Sequence, residues 1–230
     1  MEIKGIQKVT LLDYPGKVAC TVFTGGCNFR CPFCQNSDLV ISPALTPTIS
    51  TEEIFDFLRK RRGLLDAVCI SGGEPLLQAD IADFILACRE MGYLVKLDTN
   101  GAFPERLNDL IKAKLLDYIA MDIKTAPERY SILTGIQNID IGPVIESVDI
   151  IRSSGIEHEF RTTVVNELHS ASDFERIGKW LRGEAHYFLQ LFVDSGALIG
   201  TGLTPADEET MREYLSIVQK YMPNAKLRDM

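Results

Sequence analysis

No apolar run in this 230-residue chain approaches the roughly 20 residues that span a bilayer, which argues against a membrane protein. Basic residues are in deficit: 24 Lys and Arg face 32 Asp and Glu, for a net charge of -8. Phosphate backbones are bound through a cationic field, so this balance argues against a nucleic-acid partner. The first residues, MEIKGIQKVT, lack the basic-then-apolar layout of a secretory signal, and the last, KLRDM, match no lipidation signal. A soluble, cytoplasmic protein is the expectation. Repeats, low-complexity tracts and an obvious linker are also missing. One domain over residues 1–230 is therefore expected, at a length where a single α/β barrel buries one continuous core.

Cysteine is sparse, with six in all, but its distribution is uneven. Cys27, Cys31 and Cys34 fall within eight residues, whereas Cys20, Cys69 and Cys88 are scattered. A secreted disulfide scaffold would be smaller and denser in cysteine, so a tight cluster of this kind points to metal or redox chemistry. The scattered three lie in expected strands or on an apolar helix face and read as core residues.

What is present is an alternation of short β-rich runs with amphipathic helical stretches, the pattern of a parallel sheet. The expected strands are Val18 to Phe23, Ala67 to Ile70, Leu94 to Asp98, Tyr118 to Asp122, Glu157 to Val165 and His186 to Leu191. Ser50 with Glu53, and Ser172 with Glu175, have capping-box spacing. Thr204 before Pro205 reads as an N-cap with proline at the first helical position. Ile81, Phe84, Ile85 and Cys88, and likewise Met211, Leu215 and Val218, recur at helical spacing and should face the sheet. Six βα units are fewer than the eight of a closed barrel, so the expected fold is α/β, a partial open (β/α)6 TIM-like barrel with its core over about 18–222. A doubly wound sheet is the competing topology; either way the chemistry belongs beyond the carboxyl ends of the strands.

The cysteine cluster follows the first expected strand, within a loop spanning 24–37 that reads Thr24-Gly25-Gly26-Cys27-Asn28-Phe29-Arg30-Cys31-Pro32-Phe33-Cys34. Three thiolates spaced C-x3-C-x2-C can converge on one inorganic core, and the paired glycines permit close backbone approach. On a four-iron cube they leave one iron without a protein ligand, the open position that separates catalytic metal sites from closed structural ones. A zinc site completed by a distant histidine (His158, His169 or His186) or a fourth cysteine is the alternative, although no second C-x2-C knuckle is present. Three unrelated buried cysteines form the other.

The C-x3-C-x2-C signature, with aromatic Phe33 before its last cysteine, resembles that of the radical S-adenosylmethionine superfamily. The resemblance implies that Cys27, Cys31 and Cys34 hold a [4Fe-4S] cluster that reductively cleaves the sulfonium cofactor. Gly72-Gly73-Glu74-Pro75, after the second strand, resembles the family's GGEP motif, whose backbone binds the methionyl amino group. The likeness is closer still to the activating enzymes of glycyl radical enzymes, notably the anaerobic ribonucleoside-triphosphate reductase activating proteins. Cys34-Gln35-Asn36 resembles their Cys-x-Asn, Asp98-Thr99-Asn100-Gly101 their DTNG, and Asp122-Ile123-Lys124 their D-x-K. By that likeness Phe33, Gln35, Gly72, Gly73, Glu74, Asp98, Asn100, Asp122 and Lys124 line the cofactor site. Asp98, Thr99 and Asp122 are associated with a monovalent cation, and Arg161 corresponds to a fifth-strand arginine near the cofactor carboxylate. Strand alternation alone leaves open whether Arg161 faces that site.

The implied activity is formation of a glycyl radical on a partner enzyme, the anaerobic ribonucleotide reductase, with flavodoxin or ferredoxin as electron donor. Two other readings stand beside it: a radical enzyme acting on a small molecule, similar to 7-carboxy-7-deazaguanine synthase, and a non-enzymatic metal-binding module. The sequence departs from the activase pattern in three places. Lys17 stands where a G-x-G-x-R arginine is usual, and Gln35 where histidine is usual. Leu191-Phe192-Val193-Asp194 occupies the place of a sixth-strand histidine. Only Cys69 lies between Cys34 and Gly72, so no second cluster domain is expected there.

Overall fold

The computed structural model describes residues 1–183 and 185–228. Its strands are β1 (Ile3–Thr10), β2 (Ala19–Thr24), β3 (Ala67–Gly72), β4 (Leu94–Thr99), β5 (Tyr118–Asp122), β6 (Glu157–Val164), β7 (His186–Leu191) and β8 (Lys226–Arg228). The helices are α1 (Ser37–Ile41), α2 (Thr51–Lys60), α3 (Ile81–Glu90), α4 (Pro104–Lys112), α5 (Tyr130–Thr134), α6 (Gly142–Ser153), α7 (Ala171–Leu181) and α8 (Glu208–Gln219). The strands lie in chain order in one eight-stranded sheet. The six expected strands are β2 to β7, each displaced by no more than two residues at either end, and a helix follows each of them. Two strands were not expected. β1 is antiparallel to β2, and its run Ile3–Thr10 carries Lys4, Gln7 and Lys8 without clean alternation. β8 is only three residues long, too short for a periodic signal. No helix among the described residues is long and apolar enough to cross a membrane.

The chain divides into two compact units. The first comprises residues 1–28, 38–120 and 143–157. Here β2, β3 and β4 run parallel with Ala19 opposite Ala67 and Ala67 opposite Leu94. Alternation then sorts side chains to two faces. On one face Cys20, Val22, Val68, Ile70, Val95 and Leu97 are fully buried. Helix α2 contributes buried Ile54 and Leu58, and α3 contributes Ile81, Phe84, Ile85 and Cys88. Phe55 stacks on Phe84, and the Tyr93 hydroxyl donates to the Leu58 carbonyl at 2.7 Å. Cys20, Cys69 and Cys88 are buried core thiols, as expected; burial pushes the Cys20 pKa up to about 12. On the other face Ala19, Ala67, Cys69 and Leu94 pack with Tyr14 and Tyr118, whose rings lie 5.4 Å apart.

The second unit comprises residues 29–37, 121–142 and 158–230. β6, β7 and β8 are parallel, and Phe160, Val164, Tyr187 and Leu189 are fully buried. Helices α7 and α8 bury Phe174, Ile177, Leu181, Met211, Tyr214 and Val218. Tyr214 takes the central place in α8 that the sequence suggested for Leu215, and its ring stacks on Phe174 at 4.5 Å.

One of the helix starts is where the sequence put it. Ser50 and Glu53 form the expected capping box. The start of α7 lies earlier than Ser172: Ser170 is the N-cap, its amide donating to Asp173 at 2.9 Å, so Ser172 falls inside the first turn. Helix α8 starts later than Thr204-Pro205. Its N-cap is Asp207, which accepts from the Thr210 amide at 2.8 Å. Pro205 is instead bridged to Val165, and the Thr204 amide donates to Glu167.

One buried pair ties β8 down. Glu159 is 1% exposed, and both its oxygens accept from the Arg228 guanidinium, at 2.7 and 2.8 Å. That guanidinium lies over the Phe188 ring at 3.7 Å. Removing the arginine strands a buried carboxylate, which costs far more than the pair itself contributes. Arg228→Ala should therefore lower unfolding stability by about 3 kcal/mol in urea titration. Arg228→Lys should recover only part of this, since an ammonium cannot serve both oxygens in parallel. A loss in the alanine variant indistinguishable from zero would contradict the assignment.

Candidate functional site

The cysteine loop leaves the carboxyl end of β2, and its first half belongs to the first unit. There the Thr24–Gly26 turn and the Gly72–Glu74 turn meet backbone to backbone. The Gly73 amide donates to the Thr24 carbonyl and the Glu74 amide to the Gly26 carbonyl, both at 2.9 Å. A Cβ on Gly73 would stand 1.9 Å from the Gly26 oxygen. Gly72 has φ +112°, and a Cβ there would stand 2.4 Å from the Thr24 backbone nitrogen. Only glycine satisfies either place.

Beyond this contact Glu74 is fully buried. Its oxygens accept from the Leu76 amide at 3.1 Å, the Thr99 hydroxyl at 2.9 Å and the Asn100 amide at 2.7 Å. Glu74 thus ties the end of β3 to the end of β4. Asn100 in turn presents its side-chain amide to the Cys27 sulfur at 3.8 Å and to Asn28 at 2.8 Å. Asp98 pairs with the ammonium of Lys96, a residue only 1% exposed that the motif reading passed over. Strand alternation could have found it, since residues two apart share a face. Gln78 is a second omission: its amide donates to the Gly25 carbonyl at 2.9 Å while its oxygen accepts from the Glu2 amide.

The second half of the loop, Phe29–Ser37, belongs to the second unit. The Cys34 amide donates to the Cys31 carbonyl at 3.0 Å, and the Arg30 amide to the Thr134 carbonyl at 2.7 Å. Phe33 is buried, with the His169 ring edge-on at 6.4 Å and the Lys124 ammonium 5.9 Å from its centroid. Gln35 turns its side-chain amide to the Val193 carbonyl at 2.9 Å.

Asp122 and Lys124, at and just beyond the end of β5, come together with Arg161 of β6. One Asp122 oxygen accepts from Arg161 Nε at 2.5 Å and the other from Lys124 Nζ at 3.0 Å. Burial opposes the Asp122 charge, but the guanidinium and ammonium outweigh it and hold the carboxyl well below the usual carboxylate range. Burial likewise opposes the Lys124 charge, and Asp122 with the Cys31 thiol reverses the sign and raises its pKa. Arg161 therefore turns toward Asp122.

His169 is the residue no motif announced. Its Nδ1 accepts from the Val165 amide at 3.1 Å, leaving Nε2 to donate to the Lys124 carbonyl at 2.9 Å. It clamps the backbone at Lys124 while packing on Phe33.

Among the described residues no cysteine is joined in a disulfide. Among the described residues, no three His, Cys, Asp or Glu side chains stand together as a set for a single metal ion. The cysteine loop suits an iron-sulfur core by its donor chemistry: amide N–H at Cys27 and an ammonium close to Cys31 and Cys34 both favour thiolate sulfur. The three residues that the resemblance would associate with a cation each have partners within the chain: Asp98 has Lys96, Thr99 has Glu74, and Asp122 has Arg161 and Lys124.

Residues 21–181 match the family model described as Radical SAM superfamily. A Methanocaldococcus jannaschii protein named as a glycyl-radical enzyme activating enzyme is 33% identical over 98% of this chain and 95% of its own length. The pyruvate formate-lyase 1-activating enzyme of Escherichia coli strain K12 is 25% identical over 95% of each chain. Among solved structures, Streptococcus suis SuiB bound to its precursor peptide SuiA superposes with a TM-score of 0.70 at 15% identity, over 91% of this chain and 48% of SuiB. A domain of a Bacteroides vulgatus pyruvate-formate lyase-activating enzyme does so at 0.58 and 14%, over 71% of this chain and 99% of that domain. The fold is thus the partial (β/α)6 barrel of that group, with β1 and β8 added at the edges of the sheet.

Burial holds His169 neutral, its pKa below the ordinary imidazole value although the carbonyls of Lys124 and Val165 pull the other way. The unfolded chain then binds more protons, so the contribution of His169 is complete above about pH 6.5 and lost as pH falls below it. Denaturant midpoints measured from pH 7.5 to 5.5 should decline, and the decline should be shallower in His169→Gln, which keeps a donor for Lys124 without titrating. Parallel curves for the two proteins would contradict this placement.

Proposed function

The chain belongs to the radical SAM superfamily, and on that premise we propose that it generates a glycyl radical on a partner enzyme, with Cys27, Cys31 and Cys34 holding the [4Fe-4S] cluster. The superfamily works with that cluster and with S-adenosylmethionine. When bound, the reduced cluster supplies the electron that splits the sulfonium into methionine and the 5'-deoxyadenosyl radical that abstracts hydrogen.

The chain's own residues have distinct tasks in this reading. Cys27, Cys31 and Cys34 would hold the cluster through three thiolates, a ligand set that would leave a position for an amino acid ligand. Burial pushes the Cys34 thiol up, so metal binding must expel its proton, and the Lys124 ammonium assists that loss. Arg161 and Lys124, both fixed by Asp122, make a cationic corner that suits a ligand carboxylate. The Gly72–Gly73 backbone suits a ligand amino group, with Glu74 fixing the turn and Phe33, Gln35, Asp98 and Asn100 completing the surround. The observation that carries the reading is the C-x3-C-x2-C loop beyond the carboxyl end of β2, with an amide N–H turned to the Cys27 sulfur and an ammonium close to Cys31 and Cys34.

The names of the relatives support a protein substrate, a glycine Cα–H in a partner's loop. The partner in this reading is anaerobic ribonucleoside-triphosphate reductase, and reduced flavodoxin or ferredoxin supplies the electron in the cytoplasm.

Anaerobic protein reconstituted with iron and sulfide, given dithionite and S-adenosylmethionine, should form 5'-deoxyadenosine. Alanine at Cys27, Cys31 or Cys34 should lower that yield by about two orders of magnitude or more, whereas alanine at Cys20, Cys69 or Cys88 should cost about 1 kcal/mol of stability and leave the product. With the reductase present, a glycine-centred EPR doublet should appear. Turnover of a free small molecule with no protein radical would contradict the glycyl reading.

A further inference from the structure

The face of β2, β3 and β4 that carries Ala19, Ala67 and Leu94 becomes polar one step further along: Thr21, Cys69 and Lys96 lie in register across the three strands. The Thr21 hydroxyl donates to Asp13, and the Lys96 ammonium bonds Asp98. Lys96 is 1% exposed, while the Asp98 side chain is 13% exposed. An ammonium taken out of water into such a layer loses more hydration than one ion pair returns, and an apolar side chain of equal length would serve packing as well. Packing alone therefore gives no reason for a lysine here.

Its neighbours along β4 give one. Lys96 fixes Asp98, and the next two residues, Thr99 and Asn100, hold Glu74 and face Cys27. A carboxylate at this strand end needs a countercharge, and Lys96 delivers one from below on a tether of four methylenes. We propose that Lys96 is a positioning residue, a built-in counter-ion that holds Asp98 so that S-adenosylmethionine binds without a monovalent metal cation. This rests on the function proposed above and specifies how one of its carboxylates is neutralised.

The test uses cluster-loaded protein under anaerobic conditions, with the S-adenosylmethionine dissociation constant measured by equilibrium dialysis. In tetramethylammonium chloride, whose cation is too large for the slot, wild type should bind as tightly as in potassium chloride. Lys96→Ala should bind about tenfold more weakly in tetramethylammonium and regain most of that in potassium or ethylammonium. A wild type that gains affinity with potassium would overturn the proposal, as would a folded Lys96→Ala that binds like wild type in tetramethylammonium.

A second readout needs no cofactor. The thermal midpoint of cluster-free Lys96→Ala should rise when ethylammonium or potassium replaces tetramethylammonium, while wild type stays put. If neither protein binds S-adenosylmethionine, the function reading fails and the thermal comparison still decides for or against Lys96. Equal salt responses in the two proteins would refute the counter-ion.

Discussion

Everything at the candidate site depends on two turns meeting without side chains between them. The Gly73 and Glu74 amides donate to the Thr24 and Gly26 carbonyls, and the 1.9 Å gap left for a Cβ on Gly73 shows how closely the two backbones approach. That contact sets where the chain emerges from β2, and hence where Cys27 stands. It also brings Glu74 to the end of β4, where its carboxylate accepts from Thr99 and Asn100 and turns Asn100 to the Cys27 sulfur. A side chain on either glycine would clash with backbone atoms of the Thr24–Gly26 turn and force the two turns apart.

The second unit solves a different problem, that of keeping charge where water is scarce. Asp122 fixes two cations and is itself kept ionised by them. His169 holds the backbone of the lysine in that group and the face of Phe33, with its proton on Nε2 because Nδ1 is committed to the Val165 amide. Lys96 does comparable work for Asp98 in the first unit. For Asp122 and Asp98 alike, a carboxylate near a strand end receives its cationic partner from the chain itself.

The six central strands were legible because parallel strands buried on both faces read as short apolar runs between helices with recognisable caps. The chemistry was legible because thiols at C-x3-C-x2-C spacing have few structural reasons to be so close. What escaped lacked a local signal. β8 has three residues, and its anchor is a pair between Arg228 and Glu159, 69 positions apart. Helix α7 begins after Ser170 because Asp173 reaches back to its amide, and two serines in that stretch offer similar spacing. His169 stands alone in sequence, and only the fold brings it to Lys124. Glu74 stands in a recognisable motif, but the partners of its oxygens, the Leu76 and Asn100 amides and the Thr99 hydroxyl, depend on residues up to 26 positions away.

In the proposed chemistry, three thiolates of this loop carry a four-iron core with one iron open to the sulfonium amino acid. Mössbauer spectroscopy of anaerobic protein enriched in iron-57 reads that iron directly. One iron of the cube should change its isomer shift when S-adenosylmethionine is added, while the other three hold theirs. Four irons unmoved by the addition, or a colourless protein carrying stoichiometric zinc, would contradict the assignment.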